Sequence, residues 1–277
     1  MQIEKILLKI IPDFLSKIDK KKSGYCIEIG LGTSNFYFEE LVKLKFPIIA
    51  VEPLPTDNLI SKIEQYKINF LKGCIYSTNS QIDFYTGNFH NEQFYDVSSI
   101  YSNWWGVTDS SIKLKVPSYT FSYLIDYFKV KKITYLKLDT EGSEWEIIQQ
   151  LNNNSTYELP AVIQFEYGGG GLKKENKDGW SAIYFKKTLN SLKHLKNLGY
   201  NKLLLFESSL NYLKIFNLKN VNNLEDIFSE NFSYGDIVVS KKANYILLII
   251  LWLRIFYLNL IFRITKRKNR LFNKWEK

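Results

Sequence analysis

Residues 135–144 constrain the fold of this chain more than any other segment, because a short apolar run there ends abruptly in acidic residues around one glycine. Most side chains just before Asp139 are aromatic, aliphatic or β-branched, which is typical of a buried strand. Residues 145–151 instead repeat apolar side chains at helical spacing. The break predicts a strand-to-helix turn, and in open α/β sheets ligands bind at the edge where such turns lie.

A second strand-turn-helix unit lies upstream, where residues 25–29 lead into Gly30 and Gly32 and then into a helical pattern. Two such units predict a doubly wound α/β sheet. The other predicted strands are residues 47–51, 68–73, 161–167, 202–206, 212–216 and 236–239, and the predicted helices are residues 36–45, 57–66, 121–128, 143–151 and 180–198. Residues 81–86 alternate with period two and predict an extra strand, whereas residues 87–106 predict a long loop.

Length and charge bound the domain organisation. A chain of 277 residues with 45% hydrophobic content can bury one substantial core. We predict a leading helix in residues 1–22 interrupted at Pro12, one domain in residues 23–240, and a hydrophobic, basic tail in residues 241–277. Residues 1–240 hold 27 basic and 27 acidic side chains, whereas the tail holds 10 and 1. A neutral body lacks the basic face that binds phosphate backbones, which argues against a nucleic-acid partner.

Cysteines and histidines are few in this chain. Cys26 and Cys74 belong to strands that the predicted sheet keeps apart, so both are expected as free thiols in a reducing compartment. Two cysteines and two histidines without metal-ligand spacing imply no metal, although a carboxylate-bound magnesium stays open. His90 lies in the predicted loop, where it is either a base or, more simply, an incidental residue.

The first turn has features of a cofactor loop. Gly30 and Gly32 lack side chains where a ligand must approach the backbone closely, and the helix that follows offers N–H groups at its start. The dinucleotide fingerprint needs a third glycine at a position that Asn35 occupies, which disfavours a nicotinamide cofactor. Glu52 ends the next strand, where a carboxylate can accept both hydroxyls of a ribose. This placement suits an adenosine-like cofactor.

These segments resemble the FkbM family of S-adenosylmethionine-dependent methyltransferases over about residues 23–206. The specific match is Leu136-Lys-Leu-Asp-Thr-Glu-Gly-Ser-Glu144. Supporting matches are Glu28-Ile-Gly-Leu-Gly32, Val51-Glu-Pro53, Ser98-Ser-Ile100 and Phe165-Glu166. The chain departs from the family's usual alanine-asparagine and glycine at Leu31 and at Thr33-Ser34. The resemblance implies a class I methyltransferase-like (Rossmann-like) sheet with strand order 3-2-1-4-5-7-6.

The resemblance also implies S-adenosyl-L-methionine as the cofactor. Gly30 and Gly32 would border its methionine part, Glu52 would bind its ribose, and Cys74 would flank its adenine. A small buried strand-end residue is the simpler interpretation of Cys74. Glu28 is either a carboxylate near the sulfonium or a buried acid paired with N–H groups of the turn.

Methyl transfer needs a nucleophile in line with the breaking bond and a carboxylate that takes the hydroxyl proton. Asp139, Glu141 and Glu166 are expected at adjacent strand ends. Asp139 is the first candidate for that carboxylate and Glu166 the second, whereas Glu141 either joins them or fixes the turn by accepting backbone N–H bonds. Glu144 is expected as an exposed or capping acid at the helix start.

The resemblance, together with the apolar tail of residues 241–277, implies that the acceptor is a hydroxyl oxygen, on a sugar of a surface polysaccharide or lipid-linked glycan. Tyr101, Trp104, Trp105 and Trp180 either form a wall against a sugar ring or cover the sheet as ordinary packing. N-methylation of an amide or peptide is one alternative function. A non-catalytic membrane-bound scaffold of the same fold is another.

The tail predicts association with a membrane. Residues 243–262 are almost uninterruptedly apolar and long enough to cross a hydrocarbon core, but Arg254 lies near their centre. Residues 263–270 carry five basic side chains, which would stay on the cytoplasmic side of a spanning helix and leave the body outside. We therefore predict a cytoplasmic protein with a C-terminal hydrophobic helix that is in-plane or re-entrant, so that residues 243–270 associate with an anionic membrane surface. The alternative is a buried C-terminal helix or a dimer contact.

Overall fold

The chain folds into strands and helices that alternate through its first part, as seen in a computed structural model that describes residues 3–33, 36–89, 92–210, 212–241 and Tyr257. In chain order the strands are β1 (Tyr25–Ile29), β2 (Ile48–Glu52), β3 (Asn69–Lys72), β4 (Cys74–Ile75), β5 (Ser80–Tyr85), β6 (Asn88–Phe89), β7 (Glu92–Gln93), β8 (Lys113–Tyr119), β9 (Ile133–Leu138), β10 (Val162–Gly168), β11 (Lys202–Glu207), β12 (Tyr212–Asn217) and β13 (Tyr234–Ser240). The helices are α1 (Ile3–Ile18), α2 (Phe36–Lys43), α3 (Asp57–Tyr66), α4 (Phe121–Tyr127), α5 (Glu144–Ile148) and α6 (Ala182–Asn197).

Eight strands of the described residues form one mixed sheet in the order β12-β11-β13-β10-β9-β1-β2-β3. Its strands from β3 to β10 pair in parallel, while β13 lies antiparallel between β10 and β11. Leaving out the edge strand β12, this order corresponds to the expected 3-2-1-4-5-7-6. The carboxyl ends of β1, β2, β9 and β10 therefore meet at one edge of the sheet.

Apolar side chains cover both faces of this sheet, which explains why its central strands are buried throughout. All six positions of β9 and all five of β2 are buried. One apolar cluster joins the sheet to α4, α5 and α6, and the other joins it to α1, α2 and α3. Pro12 lies inside α1 rather than interrupting it, because the buried stripe of that helix holds it on the sheet. The buried side chains of that stripe are Leu7, Ile10, Ile11, Phe14 and Leu15.

A second, three-stranded sheet in the order β4-β8-β5 lies beside the main one. The predicted extra strand is therefore present as β5, but it pairs with β8, which the sequence did not predict. Residues 87–106 are not one open loop, because they contain the β6–β7 hairpin and a 3-10 turn at Tyr95–Val97. This segment packs above the edge of the main sheet where β1 and β9 end.

Several predictions concern residues that lie outside the described ranges. They are His90 and, apart from Tyr257, the apolar and basic segments of the tail. None of the helices in the described part of the chain combines the length and hydrophobicity needed to cross a bilayer. Cys26 and Cys74 are both buried and free.

Candidate active site

Two connected hollows open at the strand ends. The inner cavity is lined by Gly30, Gly32, Glu52, Cys74 and Asp139, among others. It holds about 480 Å³ of space not occupied by protein atoms, counted to its open mouth. A hollow at the carboxyl ends of parallel strands is where ligands bind in open α/β sheets.

The outer cleft is a wider hollow bounded by Trp105, Asp139, Glu166, Gly169 and Tyr234, with further residues at its rim. Asp139 and Glu141 line both the inner cavity and the outer cleft. A group bound in one hollow can therefore reach a group bound in the other at the Asp139 turn. Of the predicted cofactor residues, Gly30, Gly32, Glu52 and Cys74 share the inner cavity, whereas Glu28 does not line it.

Glu52 holds the glycine loop through its carboxylate. Its Oε2 accepts hydrogen bonds from the backbone N–H groups of Leu31 (2.9 Å) and Gly32 (3.0 Å), and its Oε1 accepts one from Leu54 (3.0 Å). A carboxylate offers about four acceptor sites, so Oε1 keeps one for a ligand hydroxyl. Burial raises the pKa of Glu52, while these three backbone bonds lower it.

Cys74 lies at the apolar end of the inner cavity, beside Ile75 and Phe84. Burial is the main cause that raises the pKa of its thiol, and the charge of Glu52 adds to the rise. The side chain therefore stays a neutral thiol at ordinary pH, which suits an apolar surface better than a nucleophile.

Glu28 is buried and interacts with Lys137 and with the backbone N–H of Phe38, near the start of α2. The Lys137 Nζ lies 3.6 Å from Glu28 Oε1 and 2.8 Å from Asp139 Oδ2. Burial raises the pKa of Glu28 to about 7, although the charge of Lys137 opposes that rise. Lys137 thus holds Asp139 at the junction, where 41% of the Asp139 side chain stays exposed.

The turn after β9 places its acids differently from the sequence expectation. Glu141 adopts a left-handed backbone conformation (φ 50°), and its Oε2 accepts a hydrogen bond from the Trp104 indole at 2.6 Å. Ser99 Oγ donates to the Glu141 carbonyl oxygen at 2.7 Å. Glu144, not Glu141, binds the turn N–H, since its Oε1 accepts from Thr140 N at 2.9 Å. Glu144 therefore fixes the turn from the first position of α5, which follows the N-cap Ser143. The Glu141 carboxylate accepts from the Trp104 indole, and its catalytic role stays a prediction.

Asp139, Glu141 and Glu166 bring one carboxylate oxygen each to within 4.8 Å of one another. Burial raises the pKa values of Glu141 and Glu166 well above the usual range, and the neighbouring acids raise them further. Such a group can hold a proton between two carboxylates, and its oxygens also suit a divalent cation such as Mg²⁺. The expectation of no metal came from the spacing of cysteines and histidines. That spacing carries no information about a site formed by carboxylates that follow β9 and lie on β10.

The aromatic residues considered as a sugar-binding wall differ in where they lie. Trp104 and Trp180 are buried, and Tyr101 donates a hydrogen bond to Glu146 at 2.5 Å. Trp180 packs against Tyr167 and Phe185, whereas Trp104 lines a third, smaller hollow beside Glu166. Trp105 does line the outer cleft, where it lies against the backbone of Gly169.

Asp96 is the site residue that sequence reasoning missed. It lies in the 3-10 turn above the glycine loop, and it lines both hollows. Its carboxylate binds Thr33, which is 63 positions away in sequence. No local pattern marks an acid in an aperiodic segment as part of a site formed by such a distant contact.

The acids of this site should make the protein less stable as the pH rises. Burial raises the pKa of Glu144 to about 7 from an ordinary 4.5, so the folded state holds this proton more tightly than the unfolded state. The stability that results is fully present below pH 4.5 and is lost as the pH rises through 7. We expect the free energy of unfolding of the ligand-free protein to fall over this window, and Glu144→Gln to remove roughly 2–3 kcal/mol of the fall.

Urea unfolding at about pH 5 and about pH 8 measures this difference. Glu64→Gln is the control, because Glu64 is exposed on α3. An equal pH dependence in the wild type and in Glu144→Gln would contradict the prediction.

The fold and the two hollows define a Rossmann-like α/β protein with a cavity at the carboxyl ends of its parallel strands. A family model described as the methyltransferase FkbM domain matches residues 24–202. The chain therefore belongs to the FkbM methyltransferase family, which confirms the resemblance and supports methyl transfer as its class of activity. No curated protein matches the chain.

Proposed function

We propose that this protein transfers a methyl group from S-adenosyl-L-methionine to a hydroxyl oxygen, on a sugar of a surface polysaccharide or lipid-linked glycan. The observation that carries the proposal is the junction at Asp139, where the inner cavity and the outer cleft share Asp139 and Glu141 in their linings. Family membership supports the methyl transfer itself.

The residues of the inner cavity fit the cofactor. Cys74 and Ile75 supply an apolar surface for adenine, and Glu52 keeps an acceptor site for a ribose hydroxyl. Gly30 and Gly32 leave the loop backbone accessible beside the acidic end of the cavity. When bound, S-adenosyl-L-methionine supplies an electrophilic methyl group on a positively charged sulfur, which an acidic environment stabilises.

Asp139 takes the proton of the acceptor hydroxyl. It lies at the junction, it is partly exposed, and Lys137 fixes its orientation. Glu166 brings a carboxylate oxygen to within 4.8 Å of Asp139, and its raised pKa favours the protonated form, which can donate a hydrogen bond to the acceptor. Most of the acceleration comes from orientation, because a positioned acceptor converts a bimolecular reaction into an effectively unimolecular one.

The outer cleft supports a sugar as the acceptor. The exposed ring of Phe94 and the partly exposed rings of Trp105 and Tyr234 line it, and such amphipathic rings pack well against the C–H faces of sugars. The backbone at Gly169 and Gly170 lines the same cleft without side chains. Polar hydroxyls can therefore reach carbonyl and N–H groups along the strand end.

Isothermal titration with S-adenosylhomocysteine tests the cofactor, and transfer of a labelled methyl group tests the acceptor. Neutral glycans, lipid-linked glycans and peptide amides form the acceptor panel. Binding together with label on a glycan oxygen supports the proposal. Label on nitrogen identifies the N-methyltransferase alternative, whereas absence of binding identifies the non-catalytic scaffold.

We also propose that the tail attaches the enzyme to the anionic face of a membrane. The support is the sequence: an apolar segment, residues 243–262, is followed by five basic residues in 263–270. Protein that lacks residues 241–277 should lose most of its sedimentation with anionic vesicles relative to the full chain. Equal sedimentation of both proteins contradicts the proposal, and neutral vesicles measure the electrostatic part.

A further inference from the structure

Asp96 lies above the glycine loop, in a turn that hydrogen bonds hold in place. The 3-10 turn that carries it, Tyr95–Val97, follows the β6–β7 hairpin. Ser98 Oγ accepts a hydrogen bond from Gly87 N at 2.9 Å, and Ser99 Oγ donates to the Glu141 carbonyl at 2.7 Å. The turn is therefore fixed both to its own segment and to the Asp139 turn.

The Asp96 carboxylate contacts the loop but keeps acceptor capacity. Its Oδ1 accepts hydrogen bonds from Thr33 N and Thr33 Oγ1, and its Oδ2 lies 2.7 Å from the same hydroxyl. Any side chain on Gly32 would collide with Oδ1. A carboxylate has about four acceptor sites, so Oδ2 can still accept a hydrogen bond from a ligand in the inner cavity.

The charge of Asp96 has no cationic partner among the described residues, where no lysine, arginine or histidine forms an ion pair with it. It instead lies near two buried acids, since its charge contributes to the raised pKa values of Glu52 and Glu141. Carboxylates gathered in this way repel one another, and a cationic ligand group would relieve that repulsion.

The position of Asp96 within the cavity indicates which cationic group that is. Glu52 and Asp96 lie on two sides of Gly32. Glu52 accepts a hydrogen bond from the Gly32 N–H, and the Asp96 carboxylate occupies the space that a Cβ on Gly32 would need. Cys74 marks the apolar end of the cavity, whereas Asp96 also lines the outer cleft. Asp96 is therefore at the end away from the adenine surface, where the amino-acid part of the cofactor lies.

We propose that Asp96 binds the α-ammonium group of the cofactor's methionine moiety through its Oδ2. The inference rests on the proposed function, because it names a further residue for the same cofactor. Asp96 also holds the loop through Thr33, so its removal acts in two ways that an experiment must separate.

Loss of the α-ammonium contact and loosening of the loop can be separated with two ligands that differ only in the α-amino group. These ligands are S-adenosylhomocysteine and S-adenosyl-4-thiobutyrate. Wild-type protein should bind the first at least about tenfold more tightly, because a charge-assisted hydrogen bond is among the stronger contacts. Asp96→Asn should bind both with similar affinity. Thr33→Val removes the hydroxyl contact but keeps the acid, so it should retain the wild-type preference.

Isothermal titration measures these affinities, and thermal unfolding checks that each variant is folded. Equal weakening of both ligands by Asp96→Asn would show that Asp96 only holds the loop, which overturns the inference. A wild type that does not distinguish the ligands overturns it without any variant, even if Asp96→Asn does not fold. A wild type that binds neither ligand overturns the proposed function itself.

Discussion

Asp139→Asn should lower the rate of methyl transfer at least about 100-fold while leaving the affinity for S-adenosylhomocysteine within about threefold of the wild type. Asparagine keeps the shape of aspartate and an oxygen that Lys137 can still donate to, but it cannot take a proton. The loss should therefore fall on the chemical step. Single-turnover transfer of a labelled methyl group measures that step, and titration measures binding.

The control for this substitution is Asp126→Asn, because Asp126 is an exposed aspartate on α4 away from both hollows. Turnover of Asp139→Asn near the wild-type rate would remove Asp139 from the mechanism. The same assay with a chelator decides between two roles for the acids. If chelation stops the wild type and Mg²⁺ restores it, Asp139, Glu141 and Glu166 act as ligands of an ion instead of proton acceptors.

Much of the sheet could be predicted because its signals are local. The apolar run before Asp139 and the glycines after β1 mark strand ends, and parallel strands place such ends at one edge. That logic was enough to place Asp139, Glu166, Glu52 and the glycine loop in connected hollows.

The strand β8 was missed because its local signal is contradictory. Leu114, Val116 and Ser118 alternate with lysines, but Pro117 interrupts the run, and a proline argues against a central strand. In the structure β8 lies between β4 and β5, with Pro117 opposite Gln81. Only the pairing partners, which are distant in sequence, make this strand recognisable.

The contacts of the acids in the turn could not be predicted for a similar reason. A left-handed residue at Glu141 redirects its side chain, and the indole of Trp104 fixes it there. Trp104 comes from a segment 37 positions earlier, so the spacing of acids along the chain cannot reveal which one faces the turn. Glu144 is the first residue of α5, after the N-cap Ser143, and its carboxylate accepts the N–H of Thr140 in the turn.

Gly30→Ala should destabilise the protein by roughly 3–5 kcal/mol. This estimate is the sum of the cost of a strained backbone conformation and the cost of a steric collision. Gly30 has a φ of +80°, and an added Cβ would lie 2.7 Å from the carbonyl carbon of Asp139 and closer still to its oxygen. The backbone there is already fixed by the bonds from Gly30 N to Val51 O and from Asp139 N to Ile29 O, both 3.0 Å. The strands β1 and β9 would have to separate at the site.

Gly199→Ala is the matched control, because Gly199 also has a positive φ (+94°) but an added Cβ would meet only Lys241, at 3.6 Å. Strain without collision should cost only about 1–2 kcal/mol there. Urea unfolding of both variants measures the two costs. If they are equal, the close approach of Gly30 to Asp139 adds nothing to the cost of the positive φ that both glycines adopt. If Gly30→Ala costs more, the same glycine that opens the inner cavity also sets the distance between the cofactor loop and the proposed base.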